Sequence, residues 1–268
     1  MQLKNLARDF CPPILLRLVR KIRGKNVLLF EGNYPSWQAA YEASSGYDTA
    51  EVFRRVGESA LKVKNGLAVF ERDSVCFERQ EYRWPVIACL LASAAEHGGR
   101  LNVLDFGGSL GSFYFQHKKL FGKLATVNWA VVEQRQFVEF GRDQIQERDL
   151  NFYESIDSCF EKQKVDIVLL SSVLQYLESP YEILKALVAT GARHLLLDRT
   201  SFINEASDKL MIQHVPETIY KASYPAWFFS QEKFDAAIKE LGYRLIVEFA
   251  CDEKVGFGTF KGAFFERA

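Results

Sequence analysis

Asp105 closes an apolar run, and Gly107, Gly108 and Gly111 follow it within six residues in "NVLDFGGSLGSFYF" (102–115). Glycine turns a chain tightly and lets a ligand approach bare backbone, and a helix N-terminus offers unpaired N–H groups. The stretch therefore reads as a strand, a binding loop and the start of a helix. A dinucleotide-binding loop has the pattern G-x-G-x-x-G, but Phe106 stands at its first position here. Asp105 at the strand end would also face the doubly anionic pyrophosphate of NAD, a repulsion that persists at an effective dielectric of about 20. A phosphate-free, cationic cofactor such as S-adenosylmethionine avoids it. Glu133, at the end of the next apolar run, stands where a carboxylate accepts hydrogen bonds from both hydroxyls of a ribose.

These residues need elements to position them. "LNVLD" (101–105), "VNWAVVE" (127–133), "LNFY" (150–153), "VDIVLLSS" (165–172) and "RHLLLD" (193–198) are continuous apolar runs of strand length, as in a parallel sheet covered on both faces. Between them Ser179-Pro180-Tyr181-Glu182 predicts a capping box opening a helix, and Ser230 predicts another helix that ends at Gly242. "YRLIVEFA" (243–250) and "TFKGAFFER" (259–267) follow without a helix between them, as a closing antiparallel pair. The expected fold is α/β, a doubly wound, mostly parallel, seven-stranded sheet over residues 101–268. Residues 1–100 read as a helical extension and cap, with helices in "SWQAAYEASS", from Thr49 to Gly66, and in "YRWPVIACLLASAAEHG".

Thirty-four basic and thirty-four acidic side chains cancel, so overall charge leaves no footprint for nucleic acid. The five cysteines, Cys11, Cys76, Cys89, Cys159 and Cys251, are scattered and unpaired in sequence, which argues against a disulfide framework or a zinc knuckle; no metal is expected. No apolar run approaches the roughly 20 residues of a membrane span, and no signal-peptide pattern opens the chain. A cytoplasmic protein is expected.

"DFGGSLG" matches the D-x-G-x-G-x-G loop of the class I S-adenosylmethionine-dependent methyltransferases, with Ser109 replacing the middle glycine. The chain resembles that class from 101 to 267, through "VVEQ" (131–134), "DIVLLSSVLQYLESP" (166–180) and "LLLDRTSF" (195–202). With "FEGNYPSWQAAYEASSGYD" (30–48) it is also similar to one family of bacterial methyltransferases of unassigned substrate, often encoded among surface-polysaccharide genes. The resemblance implies a Rossmann-like fold, S-adenosyl-L-methionine as cofactor and a small-molecule or saccharide-precursor acceptor. It implies that Asp105, Gly107, Gly108 and Gly111 line the methionine moiety and that Glu133 binds the ribose. Ser155 and Ile156 fall where adenine is contacted, and Ser171 and Ser172 border the reactive end of the cofactor. The segment "SSVLQY" lacks the N-P-P-Y type motif of amino-group methyltransferases acting on nucleobases or glutamine.

A methyl group moves by in-line attack, so the enzyme chiefly positions the nucleophile and needs a base only if the acceptor loses a proton. The long connection 197–230 reads as a lid, and His214, its only histidine, is the base candidate; packing or hydrogen bonding is its other role. Tyr220, Tyr224 and Trp227 offer walls for an acceptor or pins for the lid. Arg199 would hold an anionic group of the acceptor, or else a surface ion pair. A stripe of Ile14, Leu15, Leu18, Val19 and Ile22 faces away from Arg17, Arg20, Lys21 and Arg23. This suits residues 10–25 lying on an anionic membrane surface at the inner face, or equally docking on the rest of the protein. Two other functions compete: an S-adenosylmethionine-binding scaffold without turnover, and an NAD-dependent nucleotide-sugar oxidoreductase. Phe106 and the lack of a Tyr-x-x-x-Lys pair beside a strand end count against the second.

Overall fold

The computed structural model describes residues 29–45, 49–72, 74–215 and 222–268, apart from the side chains at 49 and 254. The segment 10–25 and Tyr220 lie outside the described residues.

The central run of strands forms where the sequence is continuously apolar. β4 (Arg100–Phe106), β5 (Thr126–Val132), β6 (Leu150–Tyr153), β7 (Ile167–Ser171) and β8 (His194–Ile203) pair in parallel in the order β6-β5-β4-β7-β8. Successive side chains enter different cores: Leu101, Val103, Trp129 and Val131 pack on one face, Leu104, Ala130 and Val132 on the other. That two-sided burial is why these strands do not alternate polar and apolar residues. β11 (Tyr243–Lys254) and β12 (Thr259–Arg267) close the sheet as an antiparallel pair against β8.

Helices cover both faces. α3 (Trp84–Glu96) and α4 (Ser112–Phe121) pack on the first core, and α7 (Pro180–Ala189) and α8 (Gln231–Glu240) on the second. The described residues also hold α1 (Trp37–Ala43), α2 (Thr49–Lys64), α5 (Arg135–Phe140) and α6 (Ile156–Phe160). Ser230 caps α8 by accepting from the Lys233 N–H at 3.4 Å. The capping box expected at α7 does not form. Ser179 makes no side-chain cap bond, because its backbone (φ −123°, ψ 68°) leaves the extended geometry that aims a capping oxygen inward. Glu182 pairs with Lys185 instead, at 2.8 Å.

Among the described residues the sheet has ten strands rather than the expected seven. The additional three are β1 (Leu29–Glu31), β9 (Lys209–His214) and β10 (Ser223–Ser230), an antiparallel extension in which β9 lies between the other two. The connection read as a lid is therefore mostly strand. Residues 29–100 are also not purely helical, since they contribute β1 and a separate hairpin of β2 (Phe70–Arg72) and β3 (Val75–Phe77).

β8 joins the two parts of the sheet. β12 runs along one of its edges from His194 to Phe202, and β7 occupies the other edge only as far as Asp198. β10 takes up that second edge at Phe202 and Ile203. The sheet thus opens a step on the β7 side of β8, and Asp198 and Arg199 stand at its lip.

Candidate functional site

A cavity of about 340 Å³ opens at the carboxyl ends of β4, β5 and β7 and at the step in β8. In open α/β sheets this is where ligands bind. Its walls come from the glycine loop, the segments after β5 and β7, the lip of β8, the β2–β3 hairpin, and the extension strands β9 and β10.

Asp105 is the next-to-last residue of β4 and is 2% exposed. Its carboxylate accepts the Trp129 indole N–H at 3.0 Å. Burial, and more weakly the nearby Glu133 charge, push its pKa up to about 7, against the stabilising indole bond. The loop then folds back on it. Gly107 has φ +71°, and a Cβ on Gly108 would lie 2.5 Å from the Asp105 carboxylate, so the loop closes over that carboxylate only with glycine at 108. Ser109 follows the left-handed path (φ +54°) that its missing glycine would have taken without strain. Its N–H donates to Glu133 at 3.3 Å, and the Gln134 N–H donates to the other Glu133 oxygen at 2.7 Å. Two backbone donors thus aim the Glu133 carboxylate beside the loop, while burial raises its pKa.

On the far side, the Arg83 guanidinium pairs with the buried Asp198 carboxylate, which also accepts from Ser171 Oγ at 3.0 Å. Arg199 Nε donates to Glu253 at 2.6 Å. Tyr176 donates to Gln213 at 2.7 Å and meets Tyr224 edge-on, ring centroids 5.2 Å apart. Glu71, from the hairpin, bonds Ser112 at the start of α4 and accepts the Ser74 N–H at 3.2 Å.

Four non-glycine residues among those described have positive φ: Ser74, Ser109, Ser172 and Arg199. All four line this cavity. A side chain in the left-handed region costs about 1–3 kcal/mol and persists where the surroundings over-determine it. Its confinement to one cavity among the described residues makes that cavity the candidate site.

Asp105, Gly107, Gly108, Glu133, Ser171, Ser172, Arg199 and Tyr224 are brought together here. The other expected residues among those described are not in the lining. Gly111 is the N-cap of α4, and Ser155 caps α6 in a reciprocal bond with Ser158. Ile156 packs in the second core. His214 lies between Gln213 and Val215, which both line the cavity, so strand alternation turns it away, and its Nε2 lies 2.8 Å from Glu31. Trp227 stacks on Trp37 at 6.3 Å and donates to the Leu177 carbonyl at 3.0 Å. Arg199, assigned from sequence to an anionic acceptor or a surface pair, is engaged instead by Glu253 inside the cavity.

Sequence reasoning missed Arg83, Glu71, Asp198, Gln213 and Glu253 as lining residues. Asp198 had the same signal as Asp105, a carboxylate closing the apolar run "LLLD". Arg83 and Glu253 had none. A separate trio, Glu96, His194 and Glu266, has ligand atoms within 4.8 Å of one another. Arg193 and Arg244 both pair with Glu266 there, so the cluster already carries its counter-cations and is a charge network rather than a metal site.

No protein-family model matches the sequence, and no curated protein sequence matches it. Solved structures do. The N-terminal domain of EvdMO1, solved in the presence of S-adenosylhomocysteine (SAH) and D-fucose, is 16% identical; the match covers 83% of this chain and 98% of that one, with a TM-score of 0.50. Magnesium protoporphyrin IX methyltransferase from Synechocystis PCC 6803, with bound S-adenosylmethionine, is 13% identical over 99% of this chain and 97% of that one, TM-score 0.44. CalS10, an amino pentose methyltransferase from Micromonospora echinaspora, is 12% identical over 70% and 92%, TM-score 0.43. The EvdMO1 domain and this chain share a fold.

Proposed function

We propose that this chain is a methyltransferase that takes its methyl group from S-adenosylmethionine and delivers it to a small-molecule acceptor, a saccharide precursor. The observation that carries the reading is the Asp105–glycine loop–Glu133 constellation on adjacent parallel strands, continuous with a second, polar half of the same cavity. The residues fit the cofactor chemically. Asp105 is a buried carboxylate whose ionised form lacks a cation, and an ammonium group supplies one. Glu133, with both oxygens fixed by backbone N–H groups, retains lone pairs for two ribose hydroxyls. The cavity is lined by five carboxylates (Glu71, Asp105, Glu133, Asp198, Glu253) against three arginines (Arg72, Arg83, Arg199), a balance that favours a cationic cofactor over a dinucleotide.

When bound, S-adenosylmethionine supplies an electrophilic methyl on a sulfonium. The chain's own part is orientation and exclusion of water. Ser171, held by Asp198, and Ser172 form the boundary between the cofactor half and the acceptor half. Tyr176, Tyr224 and Gln213 wall the acceptor half. Transfer rates depend steeply on the alignment of reacting atoms, which is the use of strained, over-determined residues at this boundary. A scaffold that only bound the cofactor would have no use for the second half.

The test is calorimetric titration of SAH into the purified chain, with NAD as control. Micromolar binding to the wild type and no NAD heat are expected. Glu133→Ala should cost about 2–3 kcal/mol, roughly 30- to 150-fold in affinity, through loss of charge-assisted bonds to the ribose. A folded wild type that binds no SAH overturns the reading.

A further inference from the structure

Two residues that line the cavity carry buried polar atoms with no hydrogen-bond partner: Arg83 Nε, a donor, and Glu253 Oε2, an acceptor. Buried polar atoms are nearly always paired, so an orphan donor and an orphan acceptor beside one cavity call for an explanation. They lie at one strand end. Arg83 Nη2 is 3.5 Å from Cys251 Sγ, two residues before Glu253 on β11. Arg83 Nη2 is engaged by Asp198 and Glu253 Oε1 by Arg199, while Arg83 Nη1 lies 4.0 Å from Asp252. The two side chains are therefore fixed, and their unsatisfied atoms have opposite polarity.

A group that satisfies both must accept from a guanidinium N–H and donate to a carboxylate. A hydroxyl does this; a carboxylate or a fully ionised phosphate cannot donate to Glu253, and an ammonium cannot accept from Arg83. Charge agrees. Each arginine in the lining already has a carboxylate partner, Arg83 with Asp198, Arg199 with Glu253 and Arg72 with Glu81, so an anion would have to displace one. No lysine or histidine is among the described lining residues to hold it. Tyr176 and Tyr224, edge to face at 5.2 Å, add apolar ring surface, and Gln213 adds an amide.

We propose that Arg83 and Glu253, walled by Tyr176, Tyr224 and Gln213, form a subsite for a neutral polyhydroxyl ring, a monosaccharide unit, one of whose hydroxyls accepts from Arg83 Nε and donates to Glu253 Oε2. This rests on the methyltransferase reading for its place in the reaction, but its binding chemistry stands apart from the cofactor. Arg199 is a positioning residue: its left-handed backbone (φ +53°) turns it to hold Glu253 Oε1, which leaves Oε2 for the ligand.

The experiment is saturation-transfer NMR and titration with a panel of free hexoses and 6-deoxyhexoses at millimolar concentration, with and without SAH, and with inorganic phosphate as the anionic control. At least one neutral sugar should bind the wild type and phosphate should not compete. Glu253→Gln keeps the size of the side chain and its Oε1-type acceptor but removes the charge, and should weaken sugar binding roughly tenfold or more. Its SAH affinity should stay within about twofold, which also shows that the variant is folded. Tyr224→Ala provides a second loss without touching the charged pair. The proposal falls if no sugar in the panel binds the wild type, if Glu253→Gln binds sugar as well as the wild type, or if phosphate displaces it. Sugar binding that depends on Glu253 in a chain that binds no SAH would leave this subsite standing and overturn the cofactor reading.

Discussion

Asp105 is a carboxyl that the chain itself leaves near neutrality, and this has a measurable consequence. A carboxylate with its pKa raised to about 7 by burial is ionised in only part of the molecules at pH 6. A ligand ammonium that requires the ionised form therefore binds less well as pH falls through 7: SAH affinity should be about tenfold weaker at pH 6 than at pH 8. Titrations at the two pH values check this, and Asp105→Asn should both weaken binding and flatten the dependence. Asp105 and Glu133 were legible in sequence because each closes an apolar run, and a polar residue at that point must sit at the sheet's end. Arg83 and Glu253 were not, since each acquires its meaning from a partner distant in sequence, Asp198 for one and Arg199 for the other. Ser172 and Arg199 were named from the sequence, but their left-handed backbones are imposed by their surroundings and leave no local sequence signature.

At the scale of elements, the glycine loop is held by contact rather than by flexibility. Alanine at 108 would place a Cβ 2.5 Å from the Asp105 carboxylate, and a carboxylate locked beneath Trp129 has little room to give. Gly108→Ala should therefore abolish or weaken SAH binding more than tenfold and lower stability by about 1–3 kcal/mol, read by titration and urea unfolding. The parallel strands were visible as unbroken apolar runs, but β9 and β10 were hidden. Pro225 sits inside β10 opposite Ile212 of β9, and a proline within a run argues against a strand from sequence alone. The edge to which β10 belongs exists only because β8 outruns β7, a tertiary circumstance that no window of residues displays. His214 was misplaced for the same reason: a residue read as part of a lid has no defined face, whereas in a strand its neighbours take the cavity and it cannot.

Across the whole molecule, His117 couples stability to pH. It is fully buried, with Nδ1 2.8 Å from the Phe113 carbonyl and Nε2 accepting the Arg83 N–H at 3.2 Å, a neutral imidazole with both nitrogens used. Burial brings its pKa down to about 4 from the ordinary 6.5. The folded chain resists a proton that the unfolded chain takes up, so the full stability is present above pH 6.5 and is lost as pH falls toward 4. The loss should reach about 3 kcal/mol from this residue alone, and burial lowers the His194 pKa in the same sense. Urea unfolding at pH 7 and pH 4.5 measures it, and the His117→Asn variant should lose less between the two.

His117 also holds the backbone of Arg83, and Arg83 reaches across the molecule to Asp198. Val52, Val56, Glu71, Arg72, Ser74 and Arg83 all line the cavity, and all precede the strand that carries the glycine loop. The change of character near residue 100 is thus a boundary in sequence and not a place to cut. A fragment beginning at 101 would keep the strand, loop and Glu133, yet it would carry Asp198 as a buried carboxylate stripped of its guanidinium. Neither half can be transplanted into a chimaera as a self-sufficient cassette.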